Sequence, residues 1–223
     1  MNIYNFFYQS KLFARIFGTL PYCLSLSLAD CKTVLDLGCG PNSPLKNIKH
    51  LSFSVGVELF EPYLLESKRQ GIHNKYISAN IMSLSFEDDS FDAVILVDVL
   101  EHLPEAEGFE LLRRVERWAS KKVVVNSPNG YVKQMALDGN PFQEHLSGWD
   151  YSLMKNLGFN SVGLAGLKIL RHEVEGGSMQ DGGPMSNIRY HPKVFWFVLA
   201  ILSQLFTYRL PARAFSLFSV KIL

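Results

Sequence analysis

The sequence predicts an α/β protein: a mostly parallel seven-stranded sheet with helices on both faces. Three observations predict it. Short apolar runs without polar alternation recur along the chain, as strands buried on both sides require. Amphipathic segments of helical period fall between them, the pattern of right-handed strand–helix–strand units. The first apolar run ends in a tight small-residue turn, Gly38-Cys39-Gly40, which lets a backbone approach a ligand closely.

Each element follows from its residues. Residues 33–37 (TVLDL) and 53–57 (FSVGV) read as the first two strands, the second stopping at Glu58. Residues 60–70 read as a helix stopped by Gly71, and residues 76–79 as the third strand. Residues 91–97 (FDAVILV) carry the strongest strand signal. Residues 104–119 set Leu111, Leu112, Val115 and Trp118 at helical spacing among charges, and residues 122–126 (KVVVN) form a fifth strand. Residues 127–148 are rich in Pro, Asn and Gly and too long for a simple connection, as functional loops are. A helix at 150–157, a strand at 162–170, a mobile glycine-rich stretch at 175–184, a helix at 192–206 and a last strand at 215–222 complete the chain.

Composition narrows the function. With 48% hydrophobic residues in 223, the chain can bury a substantial single-domain core. One domain, 1–223, is expected, with an N-terminal helical lid at 1–30, a substrate-side insertion at 127–149 and a C-terminal helix and strand at 185–223. A net charge of +1 gives no electrostatic case for nucleic acid. Three cysteines without CxxC spacing favour neither a disulfide framework nor a zinc site, so no metal is expected and a reducing, cytoplasmic setting is. The apolar run at 194–206 is shorter than the ~20 residues of a spanning helix. The charges inside the N-terminal apolar stretch argue against a signal peptide.

The chemistry-bearing residues lie at strand ends. Gly38 and Gly40 form the turn after the first strand. Glu58 ends the second strand, where a carboxylate accepts two hydrogen bonds from ribose hydroxyls. VLDLGCG, VGVELFEP and ANIMSLSFEDDSFDAVILVDVLEHL, in this order and spacing, resemble the class I S-adenosylmethionine-dependent methyltransferases, most closely the type-11 small-molecule group. That resemblance covers residues 32–128. It implies a Rossmann-like fold and S-adenosylmethionine as cofactor. By position it implies that the backbone around Asp36, Gly38 and Gly40 holds the methionine part, with Asp36 near its amino group. It sets Glu58 on the ribose, Leu59 on the adenine, and Ile81 as backbone donor and apolar wall. Asn80 stands where the family usually has Asp, and Asp98 borders the methionine end.

Two histidines are candidates for catalysis. His102 follows Glu101 in the loop after the fourth strand, and His145 lies in the insertion beside Phe142, Gln143, Glu144 and Trp149. A histidine can take a proton near neutral pH, and aromatic walls with few polar groups suit a small-molecule pocket. The acceptor is expected to be a small or lipid-like molecule methylated at oxygen. Asn126-Ser127-Pro128-Asn129 follows the fifth strand instead of the fourth, unlike the amino-methylating DNA enzymes. Aromatic residues crowd both ends: Tyr4, Phe6, Phe7, Phe13 and Phe17, then Phe195, Trp196, Phe197 and Phe206. Core and lid packing is the plainer reading, and a peripheral membrane face the sharper one. The rivals are an NAD-dependent oxidoreductase or epimerase, which needs a full glycine fingerprint, and a non-catalytic cofactor-binding scaffold. The sequence leaves the oligomeric state open.

Overall fold

The computed structural model describes residues 10–136, 139–172 and 185–223. Tyr4, Phe6 and Phe7 and the glycine-rich stretch at 175–184 lie outside them. Two short helices, α1 (Lys11–Phe17) and α2 (Leu20–Ser27), precede the sheet. The alternation that follows is β1 (Thr33–Leu37), β2 (Phe53–Glu58), α3 (Glu61–Gln70), β3 (Lys75–Ser78), β4 (Phe91–Val97), α4 (Glu105–Trp118) and β5 (Ala119–Pro128). After the long connection come α5 (Tyr151–Asn156), β6 (Asn160–Leu167), α6 (Lys193–Thr207) and β7 (Ala214–Ile222).

The seven strands form one sheet in the order β3-β2-β1-β4-β5-β7-β6. The first five are parallel, and β7 inserts antiparallel between β5 and β6. Strand order reverses between β1 and β4, so a crevice opens beyond their carboxyl ends, where ligands of open α/β sheets bind.

The unbroken apolar strands bury both faces. Leu35, Leu37, Val94, Leu96, Val123 and Val125 pack on α4 through Leu111, Leu112, Val115 and Trp118. Val34, Ile95 and Val124 point the other way, onto Cys23, Leu24 and Leu28 at α2. The first turn is pinned from the α4 side: a Cβ on Gly38, at φ +64°, would lie 2.7 Å from Val99.

Two of the boundaries that differ from expectation have a clear cause. β5 begins at Ala119, because the chain leaves α4 directly into extended backbone. β6 ends at Leu167, and Lys168–Leu170 form a 3-10 turn. Here Ala165 and Gly166 take positive φ and shift the register with β7, while Arg171 Nε holds the Ala165 carbonyl at 2.6 Å. The apolar C-terminal residues are not all core. Phe197 and Ala200 are buried in a small cluster with Leu170 and Ile188. Val194, Phe195, Val198, Leu202, Leu205 and Phe206 are exposed along one side of α6, since the sheet has no further strand to receive them. Among the described residues, no helix is long and apolar enough to cross a membrane.

Candidate active site

The crevice is built from four strand ends. After β1, Gly38 and Gly40 adopt φ of +64° and +58°, a left-handed backbone open to glycine at little cost. A Cβ on Gly40 would meet nothing within 4 Å, so the turn faces open space. Glu58 at the end of β2 reaches this turn. Its Oε2 accepts the Gly40 N–H at 3.0 Å, and its Oε1 accepts the Phe60 N–H at 2.8 Å. Burial raises its carboxyl above the usual range, and those backbone donors pull it back. Each oxygen keeps a lone pair for a further donor. Leu59, beside it, is exposed.

Asp36 has a different setting from the one expected near an amino group. Its side chain is 2% exposed, its Oδ2 accepts the Ser43 hydroxyl at 2.5 Å, and His73 Nε2 lies 3.4 Å from that oxygen. The carboxyl therefore braces the turn from inside. Burial pushes it up to about 7, with the Glu58 charge adding to the rise, and burial pushes His73 down to about 4. Neither Ser43 nor His73 carries a sequence signal; only the fold brings them to Asp36.

The signs of these two shifts oppose. A raised acid makes stability fall as pH rises from about 4 to about 7, and a depressed histidine makes it rise from about 4 to about 6.5. Together they nearly cancel. Asp36→Asn keeps an acceptor for Ser43 and removes the falling arm. Relative to the parent, its stability should therefore climb between pH 4.5 and 7.5, on the order of 2–4 kcal/mol. Urea unfolding at the two pH values checks this, and parallel profiles would refute it.

At β3 and β4 the crevice continues. Asn80 caps a short turn, its Oδ1 accepting the Met82 N–H at 2.8 Å, which leaves its amide NH2 as donor. Ile81 is half-buried beside it. Asp98 begins the loop after β4 at φ +53°, a backbone that Asp tolerates better than most side chains. It is exposed, and the protein atoms around its carboxyl push it up to about 6, against the hydrogen bond it accepts from Asn126 Nδ2 at 2.7 Å.

Asn126, at the end of β5, links this edge to a cavity of about 390 Å³. The cavity is walled by Phe13 and Phe17 of α1, Leu164 of β6, Ile201 and Gln204 of α6, and Ser216 of β7. Sequence reasoning met Asn126 only within the Asn126-Ser127-Pro128-Asn129 stretch and gave it no place at the cofactor or acceptor.

The insertion does not line this cavity. Trp149 is fully buried, edge-on to Phe109 and tight against Gly108, so it belongs to the core. Phe142 is exposed. His145 and His102 face each other with ring centroids 4.8 Å apart, and neither lines the cavity. His102 Nδ1 donates to the Glu144 carbonyl at 3.0 Å, and His145 Nδ1 to the Val132 carbonyl at 2.5 Å. Burial lowers both, His102 to about 4, which makes them weak bases. Asn129 of the Asn-Ser-Pro-Asn stretch is buried and donates to the carbonyls of Pro211, Ala212 and Ala214, a structural brace.

With this geometry in hand, comparison with known proteins is informative. Residues 35–124 match the family model described as "Methyltransferase domain". An uncharacterised protein of Methanocaldococcus jannaschii is 28% identical over 54% of this chain and 52% of its own. Cycloartenol-C-24-methyltransferase of Arabidopsis thaliana is 32% identical over 38% of this chain and 28% of its own. The chain thus spans about half or less of the length of these curated relatives. Among solved structures, an S-adenosylmethionine-dependent methyltransferase from Archaeoglobus fulgidus shares the fold. Its TM-score is 0.51 at 17% identity, covering 95% of this chain and 98% of that one.

Proposed function

We propose, from the premise that residues 35–124 are a methyltransferase domain on the class I fold, that the chain transfers a methyl group from S-adenosylmethionine to an oxygen of a small or lipid-like acceptor. The observation that carries the reading is the joining of the Gly40 turn to Glu58 at the β1–β2 strand ends, beside open space.

The residues present fit this cofactor. The free lone pairs of Glu58 suit two ribose hydroxyls, exposed Leu59 and half-buried Ile81 suit the faces of an adenine, and the Asn80 amide suits its edge. Asp98 suits the ammonium of the methionine part, beside the methionine backbone site at Gly38 and Gly40. The cofactor, when bound, supplies an electrophilic methyl on a sulfonium. The chain's work is then to exclude water and align the acceptor oxygen with that methyl. Asn126 stands between Asp98 and the 390 Å³ cavity, so an acceptor held there would approach the methionine end.

The cavity walls are apolar at Phe13, Phe17 and Ile201 and polar at Asn126, Arg171 and Gln204, which suits a lipid-like acceptor with a polar group, and the surroundings suit delivery from a lipid surface. The exposed side of α6 lies beside α1, whose Leu12 and Ile16 are exposed next to the exposed cations Lys11 and Arg15. Apolar residues rimmed by basic ones bind anionic interfaces. The protein should therefore float with vesicles containing anionic phospholipid. Phe195→Glu with Phe206→Glu should abolish flotation and leave S-adenosylmethionine affinity unchanged. No flotation of the parent would remove the membrane part of this reading.

The acceptor cavity has its own test. Ile201→Trp narrows it from α6, away from the Glu58 turn. Methylation of a lipid extract, followed with labelled cofactor, should fall at least tenfold while cofactor affinity holds. Unchanged turnover would mean the acceptor binds elsewhere.

A further inference from the structure

One group of side chains has no part in that reading. Glu101 follows β4 in a short turn, and its carboxylate is 2% exposed with Oε2 lacking any partner among the described residues. A buried, unpaired carboxylate oxygen is costly and requires an explanation. Two imidazoles stand over it. One ligating atom each from Glu101, His102 and His145 lie within 4.8 Å of one another.

The histidines are already held in place by the backbone. Each gives its Nδ1–H to a backbone carbonyl, Glu144 for His102 and Val132 for His145, which fixes the tautomer and leaves Nε2 as the bare donor atom. Outer partners of this kind hold ligating histidines in metal sites. The backbone is fixed as well. The Glu101 carbonyl accepts the N–H groups of Leu146, at 2.7 Å, and Ser147, at 3.1 Å. Ser147 Oγ donates to the Leu100 carbonyl and accepts Trp149 Nε1. The turn after β4 and the segment around 145 are thus locked together before any cation arrives.

We propose that Glu101, His102 and His145 form a site for one divalent transition-metal ion. Two imidazoles and one carboxylate suit zinc, cobalt or manganese better than magnesium or calcium, which prefer oxygen ligands. Metal–ligand distances of about 2.0–2.2 Å set ligand atoms roughly 3.3–3.5 Å apart around a tetrahedral ion, so side-chain rotations of about 1 Å close the site. Three protein ligands leave at least one position for water or another oxygen donor, as in open sites. The cation would also neutralise the carboxylate that the fold leaves unpaired. The proposal rests on these side chains alone and is independent of methyl transfer.

The test uses the whole protein, stripped with chelator and dialysed. Zinc is titrated in competition with a chromogenic chelator, cobalt is followed by its visible absorption, and magnesium serves as the contrasting probe. The expected result is one equivalent of zinc or cobalt bound at micromolar affinity or better, with magnesium at least a hundredfold weaker. Glu101→Gln and His145→Asn should each weaken zinc at least tenfold and alter the cobalt spectrum, with the far-ultraviolet circular dichroism of the parent retained. If Glu101→Gln does not fold, His102→Asn, at a half-buried position, decides in its place. Failure of the parent to take up one equivalent overturns the site, and so does undiminished zinc binding by the folded variants.

Discussion

Replacing Glu58 with Ala should lower S-adenosylmethionine affinity at least tenfold. If Glu58 holds the ribose as proposed, two charge-assisted hydrogen bonds are lost, each contributing about 1.5–3 kcal/mol at most. The same carboxylate anchors the Gly40 and Phe60 N–H groups, so the variant also loses the clamp between the β1 and β2 turns. A strand-end side chain packs little, so loss of its packing alone leaves the fold intact. The structure adds a stability loss of about 1–3 kcal/mol, from two backbone donors left without their acceptor. Calorimetric titration and urea unfolding of the same variant separate the two effects. Glu58→Gln retains acceptor capacity with no charge and should fall between. Unchanged affinity in Glu58→Ala would mean that the ribose is held by other groups.

Gly38→Ala and Gly40→Ala should fail in different ways, although the residues lie two apart and share a left-handed backbone. Adding a Cβ at either φ costs roughly 1–2 kcal/mol in strain. At Gly38 the new methyl also falls 2.7 Å from Val99 Cγ2, inside a packed core, so the total should reach roughly 2–4 kcal/mol. At Gly40 the methyl meets no protein atom within 4 Å, so the fold should lose only the strain. That open space is where the cofactor is proposed to lie. Gly40→Ala should therefore stay folded and lose cofactor binding by tenfold or more, whereas Gly38→Ala should lose stability first. Equal stability losses, or full cofactor affinity in Gly40→Ala, would contradict this division.

What the sequence made legible follows from the range of the forces involved. Strands such as FDAVILV show because burial on both faces removes polar alternation, and α4 shows because its apolar side repeats at helical spacing. Glu58 and the glycine turn show because their roles depend on backbone and strand-end position, which short motifs record. The brace of Ser43 and His73 on Asp36 does not show, since it joins residues from three elements by side-chain contact alone. The exposed side of α6 was hidden for a related reason. Its apolar residues read alike whether a neighbouring element covers them or not, and only the sheet order decides that. Trp149 misled because an aromatic in a long loop suits a pocket wall, yet this one fills the gap over Gly108. The pairing of Glu101-His102 with Glu144-His145 was written in the sequence as a repeated Glu-His dipeptide. Its meaning needed the fold that brings the two loops together.

The central claim is tested most directly by calorimetric titration of the purified protein with S-adenosylmethionine, S-adenosylhomocysteine and NAD. One site for both sulfur compounds at micromolar affinity is expected, with no heat from NAD. Tight NAD binding, with no response to S-adenosylmethionine, would contradict it.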